Sequence, residues 1–305
     1  MRGLLIILVF FASLGLSLFL RFQAFDEWYG QGAGDLESGE GRGFVSLSPG
    51  LTETLFALGA REEVVGVTRF CLYPPETANC LSVGGLLDFN YEALAALNPR
   101  LIFMTPFHRE HRAQLDHLGL SYEIVPQDTL DDIRASFLTL AQRCGRDPEG
   151  KRLVDTLDKN IATVQAVLQG RENRRVLLVT GRNSYSDRFE EVYAVSTGSF
   201  LSDLLLVAGG ENCVSGSVAE YPVLSLEGML HLDPDIIMEL VAEEETASSP
   251  DSMTAWRELQ ILRAVREEAV HILGAPYFTI PGPRVSLVLE AFVRKLHPDL
   301  KDFVL

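Results

Sequence analysis

Two stretches of this chain share one grammar. The first is Asn90-Tyr91-Glu92-Ala93-Leu94-Ala95-Ala96-Leu97-Asn98-Pro99-Arg100-Leu101-Ile102; the second is Ser225-Leu226-Glu227-Gly228-Met229-Leu230-His231-Leu232-Asp233-Pro234-Asp235-Ile236-Ile237. In each, a capping residue stands two places before a Glu, a Pro follows that Glu by seven places, and an apolar strand follows the Pro. Asn and Ser cap helices by accepting hydrogen bonds from free first-turn amides, and a Glu in the first turn meets the positive end of the helix dipole. One copy alone reads as helix stabilisation. Two copies predict two similar lobes, each presenting one carboxylate at an equivalent place.

A length of 305 residues accommodates two lobes. The formal net charge of -16 argues against nucleic acid as a partner, because phosphates would be repelled. Residues 3–20 carry no charge and are long enough to cross a bilayer, with Arg2 on the side that stays in the cytoplasm. Arg21-Phe22-Gln23-Ala24-Phe25 is a poor cleavage site, which favours an uncleaved signal anchor over a cleaved signal peptide. Either reading places the remainder outside the cytoplasm. The expected organisation is an anchor or signal at 1–28, a Gly-rich acidic tether at 29–42, an N-terminal lobe at 43–147, an interlobe helix at 148–170 and a C-terminal lobe at 171–305.

Within the lobes, short apolar strands alternate with helices, which predicts parallel sheets flanked by helices. Examples are 44–47, 64–67, 101–104, 122–125, 175–180 and 270–273. Glu149 to Leu168 is a long amphipathic run with Leu153, Leu157, Ile161, Val164 and Leu168 on one face. Helices are expected over 110–118, 130–143, 200–205, 255–265 and 285–296. The fold class is α/β: two lobes joined by one long rigid helix. Cys71 and Cys80 flank a proline-containing loop and are either a disulfide pair, which an exported chain permits, or two free small hydrophobes. No strand–helix GxGxxG, P-loop Lys or Gly-x-Ser-x-Gly elbow occurs.

Several short motifs follow one another in order: Ser46-Leu47-Ser48-Pro49-x-x-Thr52-Glu53, Gly66-Val67-Thr68, Tyr73-Pro74-Pro75, Val83-Gly84-Gly85, Asn90-x-Glu92, Leu97-x-Pro99, Gly209-Gly210-Glu211-Asn212, Ser225-x-Glu227, Pro234-Asp235-Ile236-Ile237 and Pro281-Gly282-Pro283-Arg284. Over about residues 43–297 this series resembles the class III substrate-binding proteins of ABC importers, which serve cobalamin, ferric siderophores and haem. The likeness is greatest to the cobalamin-binding branch.

The resemblance implies a monomer that holds a corrinoid or iron chelate in an interlobe cleft and needs no cofactor of its own. It implies that Glu92 and Glu227 meet arginines of a membrane permease. It places Phe70 and Tyr221 at aromatic ligand-binding positions, and Leu86 where the cobalamin binder has a Trp. Tyr185, Tyr277 and Phe278, on loops after strands, could add walls, and Arg284 could meet an anionic ligand group or brace its loop. His108 and His111 are candidate metal ligands, weighed against a solvated helix face; His108 or Tyr221 would be the axial candidates were the ligand haem. Two other functions stand beside capture and delivery: a membrane-tethered enzyme on a related scaffold, and a receptor for a bare metal ion.

Overall fold

The computed structural model describes residues 41–182, 191–216, 219–243 and 250–305. Glu40–Leu305 forms one compact unit, in which two sheets organise two lobes. The N-terminal sheet contains β1 (Phe44–Ser46), β2 (Val64–Val67), β3 (Leu81–Ser82), β4 (Leu101–Met104) and β5 (Tyr122–Ile124), in the order β3-β2-β1-β4-β5. Every pairing is parallel, so the carboxyl ends of all five strands share one edge. The order reverses between β1 and β4, the position where open α/β sheets leave a crevice for ligands.

Both faces of the central strands β1, β2 and β4 are covered, which is why they read as apolar runs rather than alternating ones. Phe44 and Phe103 face Leu51 and Leu55 of α1 (Pro49–Ala57), whereas Val45, Ile102 and Met104 face Leu94 of α2 (Tyr91–Leu97) and Leu115 of α3 (Arg112–His117). The helix expected over 110–118 is instead a 3-10 segment, Pro106–His111, followed by the short α3.

The C-terminal sheet is mixed. It comprises β6 (Arg174–Arg182), β7 (Glu191–Ala194), β8 (Gly210–Asn212), β9 (Val223–Ser225), β10 (Ile236–Val241) and β11 (Val270–Gly274). Its order is β11-β10-β6-β7-β9, with β8 paired to the amino end of β6. β7 runs antiparallel to both β6 and β9, so β9 points the same way as β6. One face packs on α6 (Phe200–Val207) and α10 (Val285–Leu296); the other covers Trp256 and Met229. The single helix expected over 255–265 is two, α8 (Pro250–Arg257) and α9 (Arg263–Arg266). They are separated by turns closed on Trp256 and Leu259 carbonyls.

The lobes are joined by an antiparallel pair, α4 (Leu130–Cys144) and α5 (Asp147–Leu168). Thr129 and Asp132 form a capping box at the start of α4, and Gly145 ends it in the left-handed region. Pro148 opens α5, where its missing N–H costs nothing. α5 is the expected long helix: Leu157, Ile161, Val164 and Leu168 enter the C-terminal core, and Leu153 touches the cores of both lobes. α4 does the same in reverse, with Leu130, Ile133 and Phe137 in the C-terminal core and Leu140 and Ala141 in the N-terminal one. Gly150 lets the two helices cross closely, since a Cβ there would lie 2.4 Å from that of Ala141.

The apolar segment at 3–20 and the tether up to residue 40 lie outside the described residues. Among the described residues no helix is long and apolar enough to cross a membrane.

Candidate functional site

The two copies of the repeat fold alike. α2 follows Asn90, whose side chain accepts from Ala93 N at 3.0 Å; α7 (Leu226–Leu232) follows Ser225, whose hydroxyl accepts from Gly228 N at 3.3 Å. Each helix has seven residues and is pinned by one fully buried side chain four places after its cap, Leu94 or Met229. Each ends on a left-handed residue, Asn98 at φ 43° or Asp233 at φ 42°, the residue types that reach this region at least cost after Gly. Glu92 and Glu227 are consequently exposed in the first turns of equivalent helices. The register of β9 with β7, and of β7 with β6, sets Ser225 beside the carboxyl end of β6. α7 therefore begins at the carboxyl edge of its sheet, as α2 does after the loop that follows β3.

The same edge of the N-terminal lobe carries exposed apolar side chains. In the loop after β2, Phe70 is 51% exposed and Leu72 79%, while Cys71 between them turns inward. Leu86 is exposed in the loop after β3. Gly84, at φ 108°, turns this loop, and Gly85 leaves room for the Arg69–Asp88 ion pair that ties it to the loop after β2. Phe107, after β4, is a further exposed aromatic at this edge and stacks edge-on against His108 with centroids 5.5 Å apart. Sequence reasoning passed over it beside the two histidines.

On the C-terminal side, Tyr221 and Tyr277 are half-buried against the lobe's core. Phe278 is 3% exposed and belongs to that core with Phe292 and Val285; it is a packing residue and presents no wall. Tyr185 lies outside the described residues.

The Arg284 guanidinium is engaged within the protein. It makes a two-pronged ion pair with Glu53 of α1, with Nε donating to Oε2 at 2.8 Å. It lies 4.0 Å from the ring centre of Tyr73 and 5.4 Å from that of Tyr277. Burial pushes the Glu53 carboxyl up, and Arg284 opposes that shift through its hydrogen bond and its charge. Glu53 and Arg284 stand in two motifs that the sequence displays separately; nothing in the sequence says that residues 231 places apart meet.

The cysteines are free thiols. The Cys71 sulfur sits 3.1 Å from the Thr52 hydroxyl and 3.2 Å from that of Thr68, and Cys80 donates toward the Val64 carbonyl. Burial raises both thiols above their ordinary pKa. The disulfide is thus replaced by a polar knot, in which Thr52 also reaches Ser46 Oγ at 2.8 Å and the Ser48 carbonyl at 3.0 Å. This knot explains the Ser46-x-Ser48-Pro49-x-x-Thr52 spacing.

His108 and His111 are buried rather than solvated, packed around Phe89 at centroid distances of 5.3 and 4.3 Å. Thr105 N–H donates to His108 Nδ1 at 3.2 Å, so the proton of the neutral ring resides on Nε2. A metal at Nε2 would displace that proton to Nδ1 and so oppose the Thr105 hydrogen bond. Burial lowers the pKa of His108 to about 4 and also depresses that of His111, whose Nδ1 is 2.6 Å from the Tyr91 hydroxyl. Among the described residues no three His, Cys, Asp or Glu side chains converge to hold a metal ion.

A family model described as "Periplasmic binding protein" matches residues 44–277. The vitamin B12-binding protein of Vibrio cholerae is 25% identical over 248 residues, covering 81% of this chain and 86% of the relative. Among solved structures, the periplasmic vitamin B12 binding protein BtuF of Vibrio cholerae superposes with a TM-score of 0.72 at 22% identity, over 85% of this chain and 98% of that one. The periplasmic haem-binding protein BhuT, in complex with two haems, does so with a TM-score of 0.71 at 22% identity, over 84% and 98%. These relatives are binding proteins, and their two-lobed α/β fold is that of the present chain. With a match over most of its length, the chain belongs to the periplasmic binding protein family.

Proposed function

We propose that this chain is the extracytoplasmic capture component of an ABC importer. A metal-containing macrocycle or chelate, of the corrinoid, haem or ferric-siderophore type, enters the cleft between the carboxyl edges of the two sheets. Phe70, Leu86 and Phe107 offer it an apolar wall from one lobe, and Tyr221 and Tyr277 contribute from the other. Flat apolar walls suit a broad ring through dispersion and stacking. Such a ligand is cargo and supplies no chemistry to the protein. The N-terminal apolar segment would tether the protein to the membrane beside its permease.

The observation that carries this reading is the pair of exposed glutamates on equivalently capped helices. Carboxylates spaced across two lobes fix register and steer encounter with a basic partner. The test is Glu92→Lys/Glu227→Lys in cells that depend on the chain for uptake. Uptake is expected to fall by about tenfold or more, while ligand affinity of the purified protein stays within about twofold. Uptake at the wild-type rate would remove the docking role.

A further inference from the structure

The loop that carries Arg284 is fastened to the opposite lobe at three points. Arg284 is clasped by Glu53, with the two side chains only 14% and 2% exposed. Gln127, itself buried at the end of the N-terminal lobe, donates from Nε2 to the Pro281 carbonyl at 2.7 Å. Gly50, at the start of α1, lies so close to this loop that a Cβ would fall 2.3 Å from the Pro281 oxygen, and Gly282 approaches Gly50 in turn. The guanidinium plane also lies near Tyr73 from one lobe and Tyr277 from the other. These contacts adjoin the α4/α5 pair, since Gln127 also reaches Ser136 of α4 at 3.4 Å and Asn160 of α5 donates to Ser286 at 2.9 Å, and they add a direct tie between α1 and the loop of Arg284.

We propose that Arg284, held by Glu53, is the positioning residue of the cleft: it fixes the separation of the lobes and sets Tyr73 and Tyr277 on either side of their junction. Its charge is neutralised within the protein, so this part of the cleft does not select an anionic group on the ligand. The physical basis is geometric. A planar, two-pronged guanidinium–carboxylate pair defines orientation as well as distance, and rings stacked on that plane inherit its orientation. A cleft held this way receives its ligand in a preset shape, which limits the ordering lost on binding. The importance of this for capture rests on the function proposed above; the fastening itself does not.

The test is the distance between spin labels carried on an unnatural amino acid at the positions of Ala95 and Leu230, in the full-length chain in detergent without ligand. Both positions are exposed, one on each lobe. Two variants strike the fastening differently. Glu53→Gln/Arg284→Met removes the charges together, which leaves no unpaired buried ion and keeps the fold. Gly50→Ala leaves the ion pair but wedges the contact with Pro281. Both are expected to broaden the distance distribution and to lengthen its mean by more than about 2 Å. A distribution identical to wild type in both variants, with only the melting temperature changed, would reduce the pair to an ordinary stabilising contact and overturn the proposal. Cyanocobalamin and haemin titrated onto the wild type separate the two claims. Failure of both to bind counts against the ligand assignment and leaves the distance result standing.

Discussion

His108 shows how one side chain links sequence position to a measurable property. It is fully buried, its Nδ1 is engaged by the Thr105 amide, and burial holds its pKa near 4 against an ordinary 6.5. In the unfolded chain the ring takes up a proton as pH falls below about 6.5, whereas in the folded chain it does so only near 4. Stability therefore falls as pH drops through that window, by up to about 3 kcal/mol, and the loss saturates below it. His111, also depressed by burial, adds to the slope in the same direction. Urea midpoints measured from pH 7 to 4 should show this decline, and His108→Asn, whose side-chain oxygen can still accept from Thr105, should flatten it. Parallel slopes for the two proteins would contradict the assignment. The sequence offered His108, Arg109, Glu110 and His111 as an interleaved polar run. Burial was illegible there because it depends on Phe89, which arrives from a different loop. Phe278 was obscure for the mirror-image reason: a loop aromatic after a strand looks like a wall until the core behind it is known.

At the scale of elements, the capped repeat was legible in full, because its signals are local. Cap, first-turn Glu, pinning apolar residue and left-handed stop all lie within nine positions of one another. Asn90→Ala and Ser225→Ala should each cost about 1 kcal/mol in chemical denaturation, with ligand affinity unchanged. A loss of affinity would mean that these helices line the cleft rather than its rim. The α4/α5 crossing was only half legible. The amphipathic stripe of α5 announces one helix, whereas the requirement for Gly150 comes from Ala141 on its neighbour. Gly150→Ala should therefore destabilise the protein by about 1–3 kcal/mol through overpacking, despite the gain of about 1 kcal/mol that Ala brings to a helix interior. A raised melting temperature would show that the helices can separate without cost. The short strands β3, β7, β8 and β9 escaped notice because two to four residues carry too little periodicity to stand out.

At the scale of the whole molecule, the two-lobed α/β architecture followed from the alternation of strands and helices and from the repeat. Of what joins the lobes, the long helix α5 was expected and the remainder was not. α4 and α5 each contribute to both cores, and the Glu53–Arg284 contact links motifs from opposite ends of the described chain. The lobes should consequently unfold together: fluorescence and far-ultraviolet circular dichroism should give one coincident urea transition. Two separated transitions would mean that the lobes are independent.

The central claim is that the cleft takes up one metal-containing macrocycle or chelate. Native mass spectrometry of the full-length chain, released from detergent after incubation with cyanocobalamin, haemin or a ferric siderophore, tests it most directly. The account predicts a one-to-one adduct with at least one of the three, retained in Glu92→Lys/Glu227→Lys. A spectrum showing only the bare chain with all three ligands would contradict it.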